Sequence, residues 1–181
     1  DAQMELPITG FPSYVEEMSG EFRSLFEQER QVKHFKRLMT GFVTAERNTL
    51  AHMNGLFTVH TNQSNLNRFV TSPSWNTTGM SRVQFRMINE VEDPEGVVVL
   101  DDVLVEKCGK ELYGADWHRD HAKGRMVWGV QIADCVLSGD GIYPLFSTVY
   151  LRKGSRWLND DSMFRSKIQI QMDHLSRLVA C

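Results

Sequence analysis

Residues 97–113 read VVVLDDVLVEKCGKELY. Val97, Val98, Val99 and Leu100 form a short, wholly apolar, mostly β-branched run, which is how a strand buried on both faces reads. Asp101 and Asp102 follow at the expected C-terminal end of that strand, where side chains leave the core and enter a crevice beside the sheet. A carboxylate there is costly unless it is hydrated, paired or bound to a cation, so the pair is a candidate divalent-ion ligand. Asp is also common where strands turn into loops, and position alone leaves both readings open.

Working downstream, a second long apolar run covers residues 126–137 and follows a polar loop at 114–125. A third covers 142–151, after Ser138, Gly139, Asp140 and Gly141, whose composition suits a hairpin connection. Next come a basic, Trp-bearing stretch at 152–157 and an amphipathic helix whose apolar positions are Phe164, Ile168, Met172, Leu175, Leu178 and Val179. The predicted order is three strands, then a helix.

Upstream of Asp93, Pro94, Glu95 and Gly96 the period is helical. Pro12 suits a first helical position, and Tyr14, Val15, Met18, Phe22, Leu25 and Phe26 make one apolar stripe. A second runs through Val32, Phe35, Leu38, Met39 and Phe42, with Gly41 as its expected end. Thr44 is the expected cap of a helix over residues 45–53, and Asn62 of another carrying Leu66, Phe69 and Val70 inward. Residues 72–74 break the chain, and Thr77 or Thr78 opens a helix through Met80, Val83, Met87, Ile88 and Val91. The chain is therefore expected to be α/β, α+β overall, with a helical domain at 1–95 and a sheet-bearing domain at 96–181. A helix-turn-helix within the first, presenting Asn62, Gln63, Asn65, Asn67 and Arg68, competes with a simple packed bundle that is polar outside.

Composition bounds the class. With 181 residues, 41% apolar and 24% charged, the sequence is that of a globular protein of one or two domains. No apolar run is long enough to span a bilayer, and residues 1–6 carry no basic and apolar secretory pattern, so no membrane partner and a cytoplasmic location are expected. Cys108, Cys135 and Cys181 are odd in number and far apart, which supports neither a disulfide framework nor a zinc knuckle. A net charge of −3 excludes a protein coated in positive charge but not a local basic groove. The chain opens on Asp1 and stops on Cys181 inside an apolar helical pattern, which reads as the N-terminal part of a longer protein.

The segment from Val97 through ADWHRDHAKGRMVWGVQIADCVLSGDGIYPLFSTVYLRKGSRW (115–157) resembles the opening of the RNase H-like catalytic domain in DDE transposases of prokaryotic insertion sequences. In that family a strand ends in an Asp-Asp-Thr or similar triplet, a Lys follows, a loop carries Asp-His and Lys-Gly, and two long strands come next. TNQSNLNRFVTSPSWNTTGM (61–80) resembles the helical domain that precedes this module. The resemblance implies the first half of a mixed RNase H-like sheet, with Asp102 as the first catalytic carboxylate and metal ligand and Asp101 as the fallback. Val103 stands where the family commonly has Thr. The family's second Asp and its Glu are expected beyond this sequence, so the chain by itself is expected to be inactive.

The resemblance further implies two Mg2+ (or Mn2+) ions, which in such centres sit about 3.5–4 Å apart and clamp the attacking and leaving oxygens of an in-line phosphoryl displacement. The implied partners are DNA, both transposon ends and target, and a homodimer on that DNA in the nucleoid. The alternative is a non-catalytic DNA-binding or regulatory remnant of a transposase. Lys107 matches the family's Lys and reads either as a DNA-backbone contact or as a surface ion pair. His121 and Lys123 read as phosphate contacts or as parts of an ordinary polar turn, and His118, Asp120 and His121 lie too close in sequence to converge on a metal without a further ligand. Arg152, Lys153, Arg156 and Trp157 form a basic, aromatic patch suited to distorted DNA, or a Trp anchoring a loop.

Overall fold

The computed structural model of the chain describes residues 7–71, 75–91 and 96–179. The readings made at residues 1–6, 72–74 and 93–95 and at Cys181 lie outside the described residues. Among these, the chain is α+β, with six α-helices and a four-stranded antiparallel sheet, and it divides into two compact units, Asp1–Val83 and Gln84–Cys181.

The first unit holds α1 (Ser13–Glu21), α2 (Glu29–Thr44), α3 (Leu50–Gly55), α4 (Gln63–Thr71) and the start of α5 (Thr77–Val91). Pro12 stands one residue before α1, its extended backbone leading into the helix. Two boundaries differ from the sequence reading. Gly41 does not end α2, because the helix continues one turn to Thr44 and the missing side chain makes room for Met53, whose Cγ would lie 2.7 Å from a Cβ at Gly41. Thr44 therefore sits inside a helix, donating its hydroxyl to Thr40 O (2.8 Å), and Thr49 caps α3 by accepting from His52 N–H (3.3 Å). The cap at Asn62 is as read: its Oδ1 accepts from Ser64 N–H (2.9 Å). Asn76 does the same for α5 by accepting from Gly79 N–H (2.8 Å).

Phe26, Val32, Leu38, Met53, Leu66 and Phe69 form the buried core of this unit. Trp75 closes it edge-on against Phe69, with ring centroids 4.8 Å apart. The link from α3 to α4 is fixed by the buried Asn54, whose Oδ1 accepts from Thr61 N–H and from Arg37 (both 3.1 Å) while its amide donates to Thr61 O (2.8 Å). Each polar atom of that side chain is thus satisfied, as burial demands.

The second unit takes in α5 from Gln84 onward, the sheet and α6 (Lys167–Val179). Its strands are β1 (Val97–Glu106), β2 (Asp116–Asp120), β3 (Arg125–Ser138) and β4 (Ile142–Tyr150). β3 is central, pairing with β1 along one side and with β2 and β4 along the other, all antiparallel. The hairpin expected at 138–141 joins β3 to β4, closed by Gly139 N–H donating to Gly141 O (3.0 Å). The sheet has four strands rather than three, because β2 lies in what reads as a polar loop. DWHRD is too polar to signal a strand, yet it turns back onto β3 through a tight turn with Gly124 at φ +65°.

β1 also departs from its reading. It does not end at the Asp pair but runs on to Glu106, and it is an edge strand rather than one covered on both faces. Val97, Val99, Leu100 and Val103 are exposed. An apolar run encodes a preference for extended backbone; what covers its faces is decided by elements elsewhere in the chain.

Candidate active site

Register places the two aspartates. Asp101 opposes Asp134 and Asp102 opposes Ala133 across the β1–β3 ladder. Consecutive strand residues project to opposite faces, so the two side chains diverge. Asp101 Oδ1 accepts from the backbone N–H of Asp102 (2.7 Å). The same register brings Asp134 of β3 opposite Asp101.

Asp102 is held by side chains from two other elements. Lys167, the first residue of α6, donates to its Oδ2 from 2.9 Å, and Gln131 of β3 donates to the same oxygen. The ion pair has side chains 35% and 37% exposed, so solvent screens it and its contribution is about 1 kcal/mol or less. It positions the carboxylate without locking it.

α6 delivers a polar stripe to this sheet. Gln171 Nε2 donates to the carbonyls of Asp101 (2.9 Å) and Asp134 (3.2 Å), which leaves Gln171 Oε1 as an acceptor. His174 is fully buried, its Nδ1 lies 3.3 Å from that oxygen, and its Nε2 lies 2.8 Å from Thr148 Oγ1. The amide orientation thus assigns the proton to Nδ1, with Thr148 donating to Nε2, which is a neutral imidazole. Its ring stacks on Phe146 at 5.6 Å. The sequence reading turned Ile168, Met172 and Val179 inward, but these are exposed, whereas Ile170 and His174 are the buried positions of the helix.

His118 of β2 is 5% exposed, and its Nε2 is buried without a hydrogen-bond partner among the described residues. Burial holds its pKa below the ordinary histidine value; Arg152 and Lys167 act in the same sense, Asp116 and Gln131 against it. Burial lowers His174 as well, with Arg177 and Arg165 adding to it and Asp173 and Asp134 opposing. A histidine with a depressed folded pKa binds its proton more readily when unfolded. Its stability contribution is therefore complete above about pH 6.5, the unfolded value, and is lost as pH falls toward the folded pKa. Urea unfolding of this unit is expected to show stability falling below that pH, by at most about 1.4 kcal/mol per pH unit for each proton. Unchanged stability from pH 7 to 5 would contradict the buried neutral state of both rings.

The basic residues singled out in the sequence divide into engaged and open groups. Lys123 pairs with Glu106 (2.9 Å) and more distantly with Asp120 (3.7 Å). The Lys123 hydrogen bond and charge lower the Glu106 pKa, and Glu106 raises that of Lys123 in return. Arg152 donates to Trp117 O (3.0 Å). Arg156 donates to Lys110 O, pairs with Glu111 (3.6 Å) and lies over the Trp157 ring at 4.5 Å. Trp157 itself donates its indole N–H to Ala115 O (3.2 Å), so this ring anchors a loop. Lys107, His121 and Lys153 are exposed.

Tested as a metal centre, the donor set falls short. Among the described residues no group of three or more His, Cys, Asp or Glu side chains comes together. The Asp102 carboxylate faces an ammonium, and Asp101 points to the other face. These described residues do not by themselves fit a two-ion centre, which needs several oxygen ligands around each cation.

A helical unit, followed by an antiparallel sheet whose edge strand presents one amine-paired aspartate under a helix, defines a small α+β class with a carboxylate-bearing sheet. The sequence model of the DDE superfamily endonuclease family matches residues 21–141, and the chain belongs to that family. The match reaches from α1 through β3 and includes Asp102. Nucleases of this family generally use divalent metals, and the family implies DNA as substrate. No curated protein and no solved structure matches the chain. No helix among the described residues is long and apolar enough to cross a membrane.

Proposed function

We propose that this chain serves DNA transposition by contributing Asp102 as the first carboxylate of a centre for metal-dependent cleavage and strand transfer at transposon ends, a centre that its described residues do not complete. The observation that carries the reading is the family match across residues 21–141, in which Asp102 lies on a strand and is presented by its neighbours rather than buried. Mg2+ or Mn2+ would supply charge neutralisation of the scissile phosphate. The chain's own residues do the rest of what can be derived. Gln131 orients the Asp102 carboxylate, Lys167 balances its charge, and Lys107, His121 and Lys153 offer exposed donors to a DNA backbone. Lys123, Arg152 and Arg156 reach DNA only by giving up or sharing the contacts described above.

A second reading, a DNA-binding regulatory protein without cleavage of its own, is favoured by one specific observation. Asp102 is already paired, and no cluster of metal-binding side chains forms among the described residues.

Both readings predict that the chain binds duplex DNA with an affinity that falls steeply and linearly on a log–log plot against salt, as counterion release requires. Fluorescence anisotropy of a labelled transposon-end duplex measures this. Absence of binding at low salt would remove both readings together.

A further inference from the structure

The helical unit contains a cleft of about 350 Å³ between the beginning of α2 and α4. Arg30 and His34 line it from α2, Arg68 and Asn65 from α4, with Phe69 beside them. Every ionisable group on this lining is basic. Neither guanidinium has an acidic partner among the described residues: Arg30 reaches only the amide oxygen of Gln28 (3.4 Å), and Arg68 only that of Asn65 (2.6 Å). Two full positive charges thus face one polar hollow with neutral amides as their company.

His34 provides the independent observation. It is 6% exposed and lines the cleft from α2. Among the described residues its ring neighbour is Phe69, at 5.5 Å. Its ring nitrogens are not among the fully buried, unpartnered atoms of the described residues, so a mostly buried imidazole on the wall of this cleft keeps its polar atoms available to what the cleft holds. Burial, and then the charges of Arg30 and Arg37, hold the His34 pKa below its ordinary value, so the ring is neutral and carries one N–H to donate.

We propose that this cleft is an anion site that receives a phosphate of the DNA backbone, held by Arg30 and Arg68 with His34 as a third donor. Planar guanidiniums from two helices suit phosphate, whose oxygens accept several charge-assisted hydrogen bonds at once. The choice of DNA as the source of that phosphate rests on the reading given under Proposed function. The site is otherwise independent of it, since Asp102 and the sheet take no part. It gives the helical unit a means of gripping the duplex backbone that does not depend on base sequence.

The test uses the full chain and two probes. The His34 ring resonance is followed by NMR as inorganic phosphate is added, against sodium chloride at matched ionic strength, and binding of a 20-base-pair duplex is measured across a salt series, as about two helical turns of DNA suffice to span a unit of this size. Both are repeated with the double variant Arg30→Gln, Arg68→Gln. Both arginines are exposed, and a thermal melt checks that the variant folds. Phosphate is expected to shift the His34 signal saturably in the natural chain and not in the variant, and the salt dependence of DNA binding is expected to lose about one unit of slope. If both proteins bind DNA with the same affinity and slope, the inference is overturned and the DNA reading stands. If phosphate shifts His34 but neither protein binds DNA, the assignment to DNA is overturned and the cleft serves a different phosphorylated ligand. If His34 does not respond to phosphate, the anion site itself is overturned.

Discussion

Gly129→Ala is expected to destabilise the sheet-bearing unit by about 3 kcal/mol, the upper range for forcing extra atoms into a packed interior. A Cβ at Gly129 would stand 2.5 Å from the carbonyl oxygen of Val105 and 3.2 Å from Glu106 Cα. Those are backbone atoms of the neighbouring strand, so no side-chain rotation relieves the clash. Gly129 is also the residue of β3 that pairs with Glu106 of β1 and Asp116 of β2 together, so a shift there disturbs the ladder on both sides. For a unit of this size the corresponding fall in Tm is roughly 15 °C. Gly20→Ala is the control: it lies in α1, a Cβ there meets nothing within 4 Å, and the better helix propensity should leave stability unchanged or raise it by up to about 1 kcal/mol. Equal melting temperatures for Gly129→Ala and the natural chain would show that β1 and β3 do not approach as described.

His174→Ala is expected to cost about 3 kcal/mol in urea unfolding. It empties a fully buried site against Phe146 and strands the Thr148 hydroxyl and the Gln171 amide oxygen that the ring had joined. Met172→Ala, two residues earlier and 58% exposed, should cost about 0.5 kcal/mol or less. The comparison inverts what hydrophobic patterning alone would predict. If Met172→Ala proves the more damaging change, α6 packs with its apolar stripe inward and the account of the Asp102 environment fails with it.

That inversion shows where sequence reasoning stopped. Ile168, Met172 and Val179 share helical spacing, but so do Lys167, Gln171, His174 and Leu178 on the neighbouring face. Periodicity identified the helix correctly and could not choose between the stripes. What chooses is the opposing surface: a sheet that offers a carboxylate, two strand carbonyls and a threonine hydroxyl draws amide, ammonium and imidazole groups towards it. None of those partners is near α6 in sequence. The long strands of β3 and β4 and the hairpin between them were legible, because apolar runs and the Ser-Gly-Asp-Gly turn are local signals. β2 was not, since four polar residues around one Trp become a strand only by pairing with β3.

The site was half legible for the same reason. Asp102 could be singled out from its strand and the family pattern around it. Gln131 and Lys167, which hold it, lie 29 and 65 residues away along the chain and come to it through register and helix docking. The divergence of Asp101 from Asp102 follows from strand geometry once β1 continues through both. Reading the strand as ending at the pair hid that. Lys123 could be seen as a cation in a turn, but its pairing with Glu106 needed the β2–β3 turn to fold back beside the end of β1.

As proposed above, Asp102 stands as one carboxylate of a cleavage centre that the described residues of this DDE-family chain do not complete. Nicking of supercoiled plasmid in the presence of Mg2+ or Mn2+, by the natural chain and by Asp102→Ala side by side, tests it most directly. No metal-dependent nicking above background is expected of either protein. Robust nicking by the natural chain, abolished in Asp102→Ala, would contradict it by showing that a complete metal centre assembles within these residues.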